Sequence, residues 1–180
     1  MKIIFETERL IIKQWQKKDY NDLFEYASDD RVSKYLFPTY KTKQTAKDRI
    51  AKLITDYSEE FSNKDYAIAL KNENKVIGSI SLSSYSPKAG GSVMIGYALN
   101  ANYWGNGYIT EAVKGAFKYI KANKIAKRIY AIHDVDNFKS GNVMKRAGMT
   151  LEGIMRKAGE NTFHSRYDVA LYSILEEEID

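Results

Sequence analysis

Apolar positions along the chain follow two periods, one near two residues and one near 3.6. Arg9-Leu10-Ile11-Ile12-Lys13-Gln14-Trp15 is a short β-prone run that predicts a first strand. Leu23, Phe24, Tyr26 and Ala27 share a helical face, and Asp19 ahead of them reads as the N-cap. Ser33 to Tyr40 fits neither period and contains Pro38, so it reads as irregular. Thr45 opens a longer helix whose face carries Ile50, Leu53, Ile54, Tyr57 and Phe61. The middle of the chain turns to strands: Tyr66 to Leu70, a hairpin turn at Asn72-Glu73-Asn74, Val76 to Ser83, a loop from Pro87 to Gly91, then Ser92 to Leu99. After it come a glycine-containing turn and a helix with Ala112, Val113, Ala116, Phe117 and Ile120 on its apolar face. Arg128 to Ile132 is a strand, and Asn137 to Ala147 a helix that Gly148 ends. Two β segments, about Met149–Arg156 and Phe163–Leu175, close the chain. Antiparallel hairpins combined with a single β-α-β stretch predict an α+β fold with a mixed sheet.

Composition narrows the class. A chain of 180 residues with 44% hydrophobic content can fill one core, so residues 1–180 read as a single domain. No window is apolar enough to span a bilayer, and Met1-Lys2-Ile3-Ile4-Phe5-Glu6 lacks the apolar stretch of a signal peptide. The absence of cysteine removes disulfides, thiolate metal sites and a Cys nucleophile, and suits a cytoplasmic location. With only His133 and His164 as histidines, no metal site is expected. The net charge of +5 is spread over Lys17-Lys18, Lys41 to Lys43, Lys121 to Lys124 and Lys127-Arg128. It forms no dense arm, so direct nucleic-acid binding is not expected; it reads as a solvated surface or as attraction for an anionic ligand.

The segment Ile95-Gly96-Tyr97-Ala98-Leu99 leads through Asn102-Tyr103-Trp104-Gly105-Asn106-Gly107-Tyr108 into Ile109-Thr110-Glu111-Ala112. A strand, a Gly-x-Gly turn and a helix in succession point unpaired backbone N–H groups at an anion, with the helix dipole in support. A plain surface turn and a dinucleotide site are the rivals, the latter because Gly105-x-Gly107-x-x-Thr110 nearly matches GxGxxG and Asp134 ends the next strand. Against the dinucleotide stand Thr110 in the third glycine position and hairpin-connected strands before the turn. No Gly-Lys-Ser/Thr follows, which excludes a P-loop.

Asn102 to Tyr108 resembles the pyrophosphate loop of the GCN5-related N-acetyltransferases. Thr7 to Ile12 is similar to that family's opening strand, and Ile95 to Leu99 to the strand that meets acetyl-CoA. Asn137-Phe138-Lys139-Ser140 through Gly148-Met149 resembles its Asn-x-x-Ser…Lys-x-Gly-Phe motif. Leu151-Glu152-Gly153 and Tyr167 to Ser173 resemble its tail. The order holds over nearly the whole chain and points to the branch that acetylates ribosomal-protein N-termini. The resemblance implies an α+β fold with a mostly antiparallel sheet of about six or seven strands flanked by about four helices. It implies transfer of acetyl from acetyl-CoA to a primary amine, by direct attack in a ternary complex and without a metal. The acceptor would be a protein N-terminus; a small amine such as a polyamine, amino sugar or antibiotic is the alternative, and a non-catalytic acyl-CoA-binding module a further one.

Backbone N–H groups of Trp104, Gly105, Asn106, Gly107, Tyr108, Ile109 and Thr110 would hold the cofactor, and the N–H near Leu99 would meet the thioester oxygen. Asn102 stands where the family usually has Gln or Arg; it can orient the loop but leaves phosphate charge to some Lys or Arg. Ser140 would stabilise or protonate the leaving thiolate, since Met144 occupies the place of the family's tyrosine; read locally, it is a first-turn hydroxyl. Asn137 would cap the helix and touch the pantetheine arm. For the base, Met94 replaces a frequent Glu. Glu160 would polarise the amine through water, or is a solvated loop side chain. Glu111 reads as a helix-start acid; His164 and Asp168 are further base candidates, and His133 reads as structural. Some of Tyr26, Tyr35, Phe37 and Tyr40 would line the acceptor groove, the others the core. Edge strands near the C-terminus would suit a homodimer.

Overall fold

A computed structural model describes residues 2–36, 38–58, 64–85, 91–160 and 166–180. The expectations placed on Phe37, Phe61, Phe163, His164 and the turn at Pro87 lie outside these residues. Among those described, eight strands form one sheet in the order β1-β2-β3-β4-β5-β6-β8-β7. They are β1 (Ile3–Glu6), β2 (Leu10–Lys13), β3 (Lys64–Leu70), β4 (Val76–Tyr85), β5 (Ser92–Leu99), β6 (Arg128–Asp134), β7 (Thr150–Gly159) and β8 (Tyr167–Leu175). The helices are α1 (Tyr20–Ala27), α2 (Asp30–Ser33), α3 (Lys43–Asp56), α4 (Tyr108–Ala122) and α5 (Phe138–Ala147). Every neighbouring pair is antiparallel except β5 and β6, which the crossover through α4 makes parallel.

The sheet is covered on both faces. Leu10, Ile12, Ile68, Ile77, Ile80, Ile95 and Ile129 meet Ile109, Val113, Phe117 and Ile120 of α4 in the larger core. Each large side chain so buried contributes about 1.5–3 kcal/mol. The opposite face packs Ala67, Ala69, Val76 and Ala98 against Leu23, Tyr26 and Ala27 of α1 and Ala46, Ile50 and Leu53 of α3. Small residues on this face let α1 and α3 lie close to the strands. Gly78 lets β4 approach β5 where β5 ends, because a Cβ there would stand 2.3 Å from Ala98 O.

Several local expectations are refined. The sheet gains β1, a four-residue strand with no clean alternation, and the fold gains α2, one turn that ends at Ser33, where the segment expected to be irregular begins. The longer helix begins at Lys43 rather than Thr45, because Thr42 is its cap and accepts from Thr45 N (3.4 Å). Asp19 stands at the N-cap of α1 as expected, but its side chain makes no capping hydrogen bond there. Its carboxylate accepts instead from Lys13 Nζ (2.6 Å) and Gln16 N (3.0 Å), in a buried ion pair.

Candidate functional site

The site is laid out by a divergence of strands. β5 and β6 pair only at Ser92–Met94 with Arg128–Tyr130, then part. Asn100 N–H donates to Ile77 O (2.8 Å), toward β4. Strand alternation then turns the N–H and C=O of Leu99 and Tyr97 to the opposite edge, into the gap. The indole Nε1–H of Trp104 donates to Leu99 O (3.0 Å), which confirms that direction.

The glycine turn follows at once. Gly105 and Gly107 have φ of 83° and 78°, in the left-handed region that favours glycine. Asn100, itself buried, accepts from Asn102 N–H (3.0 Å) and donates to Glu25 (2.8 Å), fixing the entry to the turn. Asn106 folds back to donate to the carbonyls of Tyr103 and Trp104 (3.2 Å each). The first helical bond of α4 is Glu111 N–H to Gly107 O (3.0 Å), so the N–H groups of Tyr108, Ile109 and Thr110 have no i−4 partner in the helix. Trp104 differs from the expectation in one respect. Its backbone N–H donates to Ala101 O (3.3 Å), so the residue serves through its indole.

Glu111 is a brace. Its carboxylate accepts from Thr7 Oγ1 (2.6 Å), Arg9 N (2.8 Å) and Arg9 Nε (2.6 Å), while Arg9 also donates to Asn106 O (3.1 Å) and stacks on Tyr108. Burial opposes its ionisation, but these donors outweigh it and hold the carboxyl below its usual range. The β1–β2 turn is thereby tied to the start of α4.

On the other wall of the gap, Asn137 caps α5 by accepting from Ser140 N (3.3 Å), and Gly148 ends the helix at φ 95°. Tyr97 crosses from β5, and its phenol lies 3.0 Å from both Ser140 O and Ser140 Oγ. Burial pushes its ionisation up to about 12. A cavity of about 640 Å³ runs through the gap; Leu99, Trp104, Gly105, Gly107, Tyr108, Ile109, Thr110, Asn137 and Ser140 all line it. Tyr97, Lys139 and Arg146 line it too, as do Arg31, Val32, Tyr35 and Leu36 from α2 and the turn after it. A second cavity of about 830 Å³ lies between β1 and α4 and shares Gly105, Gly107, Thr110 and Arg146 with the first.

The remaining residues separate by their surroundings. Glu160 is exposed just past the end of β7 and does not line either cavity. Asp168 accepts from Lys157 N (2.9 Å), where Lys157 takes a positive φ in an irregular stretch of β7. His133 packs against Tyr172 and faces Gly141; its Nδ1 lies 2.7 Å from Asp134 O, and Nε2 has no partner among the described residues. Met144 is wholly buried in the core. Tyr26 and Tyr40 pack into the α1–α3 core, and Tyr35 is the aromatic among the described residues of that group that lines the cavity. Sequence reasoning missed Tyr97, Asn100 and Arg9, and left open which cations face the turn. Lys139, its Nζ 3.6 Å over the Trp104 ring, and Arg146 line the same cavity as the turn, and Arg9 bonds to the turn itself at Asn106 O.

Hairpin strands, one parallel crossover, a splayed β5–β6 pair and a helix N-terminus at the gap define an acyltransferase fold rather than a dinucleotide-binding one. Residues 9–150 match the acetyltransferase (GNAT) domain, and the chain belongs to that family of N-acetyltransferases. It is 33% identical over 172 residues to the uncharacterized N-acetyltransferase YnaD of Bacillus subtilis, covering 96% of each chain. Its fold is similar to that of RimL, the ribosomal L7/L12 alpha-N-protein acetyltransferase solved with coenzyme A, at TM-score 0.83, 20% identity and coverage of 97% and 98%. It is also similar to that of the microcin C7 self-immunity acetyltransferase MccE, solved with acetyl-CoA and AMP, at TM-score 0.81, 23% identity and 93% of each chain. Among the described residues no cluster of His, Cys, Asp and Glu could hold a metal, and no helix is long and apolar enough to cross a membrane.

Proposed function

We propose that the chain transfers acetyl from acetyl-CoA to the α-amino group of a protein N-terminus. The observation that carries this reading is the single cavity that joins the glycine turn, the edge of Leu99 and the hydroxyl of Ser140. Pyrophosphate oxygens accept from the N–H groups of Gly105 to Thr110, with Lys139 and Arg146 offsetting their charge. Asn137 meets the pantetheine arm. The thioester carbonyl accepts from Leu99 N–H, the donor that stabilises charge on that oxygen as the tetrahedral intermediate forms.

The amine nitrogen forms the new C–N bond, and the C–S bond breaks with its electron pair passing to sulfur. The nitrogen loses one proton to water; Glu160 lies past the end of β7 and outside the cavity lining, so it would draw that proton only through the water. Sulfur gains one from solvent, its charge held in the meantime by the Ser140 hydroxyl. The acceptor approaches past Arg31, Tyr35 and Leu36, which line the same cavity and of which Leu36 is 48% exposed.

The test combines the protein, acetyl-CoA and a panel of N-terminal peptides and small amines, with CoA thiol release as the readout. Peptides should turn over fastest, and Glu160→Gln should lower kcat at neutral pH. Turnover confined to small amines would move the acceptor to that class. Tight acetyl-CoA binding with no acceptor would leave an acyl-CoA-binding module.

A further inference from the structure

We infer that Tyr97 is a positioning residue for acetyl transfer, whose phenol holds Ser140 so that the serine hydroxyl proton points at the departing sulfur. The inference rests on the acetyl-CoA reading of the cavity.

Tyr97 stands on β5 where that strand has left β6, and the gap lets its ring reach across to the first turn of α5. Its oxygen is 3.0 Å from Ser140 Oγ and 3.0 Å from Ser140 O. The phenol has one proton and the serine hydroxyl has one. If the phenol donates to the carbonyl, the serine is free to spend its proton on the phenol oxygen, away from the cavity. If the phenol donates to Oγ, the serine proton is released toward the cavity that both residues line. A thiolate arriving on that side selects the second arrangement. The chain then runs phenol to serine to sulfur, each bond polarising the next.

Two further observations fit. Burial keeps the phenol protonated, and therefore a donor, throughout the physiological range. On α5 itself, the position four residues past Ser140 carries Met144, buried in the core, so the second hydroxyl reaches the serine from the opposite wall. The chain moves no net proton: the thiolate leaves hydrogen-bonded and takes its proton from solvent.

A pin that merely holds β5 against α5 would look the same in a static structure. The experiment therefore measures chemistry and thiol ionisation together in Tyr97→Phe, Ser140→Ala, Ser140→Thr and the corresponding double variants. Thermal midpoints serve as the folding control, and Phe keeps the ring in place. With the best acceptor, Tyr97→Phe should lower kcat about tenfold, the worth of roughly one hydrogen bond. KM for acetyl-CoA should stay within about twofold, since the lost interaction forms with the departing sulfur. In the Ser140→Ala background the Tyr97 change should have no further effect, and in Ser140→Thr it should regain one.

The second readout needs no acceptor. Bound CoA is titrated by thiolate absorbance, and its thiol should ionise at lower pH in the wild type than in either single variant. Equal thiol titration in all variants that bind CoA, or multiplying kcat losses in the double variant, would overturn the positioning role and leave the acetyl-CoA reading standing. Failure of CoA to bind the wild type would overturn both.

Discussion

The two ends of the cleft are made of different material. At the glycine turn, the recognition proposed is by backbone: N–H groups set by positive-φ glycines, a helix start without partners, and the Glu111–Arg9–Thr7 brace behind it. At the far end it is by side chains of Arg31, Val32, Tyr35 and Leu36, on or just after a helix of four residues. A backbone site tolerates change of side chain but not of dihedral angle. A side-chain site does the reverse, so one scaffold can keep its donor while its acceptor is altered at a few positions.

The largest effect is expected where dihedral angle matters most. Gly107→Val forces a β-branched residue toward φ near 78°, at a cost of about 1–2 kcal/mol before any clash. KM for acetyl-CoA should rise at least about tenfold, while KM for the acceptor at saturating cofactor changes little. Tyr35→Ala should do the opposite and raise acceptor KM about fivefold, the worth of one partly exposed aromatic contact. If each variant affected both substrates alike, the two ends would not be separable.

The smallest effect concerns the brace. Glu111 has a folded-state pKa below its unfolded value of about 4.3, so its contribution is present above that value and is lost as pH falls through the folded one. Glu111→Gln should therefore be less stable than the wild type near neutrality, and the gap should narrow below about pH 4. Thermal unfolding across that range checks it, and a gap that widens in acid would contradict the brace.

The same division explains what could be read from sequence. Gly105, Gly107, Asn137 and Gly148 were legible because each meets a local backbone demand that few residue types satisfy. The alternation of β3, β4 and β5, and the stripe of α4, were legible because burial imposes their periods. Asp19 was placed correctly and given the wrong partner, because Lys13 reaches it through tertiary packing. β1 was missed because it gains strand character from pairing with β2 rather than from its own pattern. Tyr97 was read as part of a strand and nothing more. Its partner lies 43 residues on and is reached only because two strands separate, which no local pattern records.

The most direct measurement is a set of amide ¹⁵N–¹H spectra recorded as acetyl-CoA is added. Binding should shift the N–H signals of Gly105, Asn106, Gly107, Tyr108, Ile109, Thr110 and Leu99 most strongly, with Tyr97 and Ser140 following. Shifts confined to the cavity between β1 and α4, with Leu99 and Ser140 unmoved, would contradict the assignment of the splayed gap as the site of acetyl transfer.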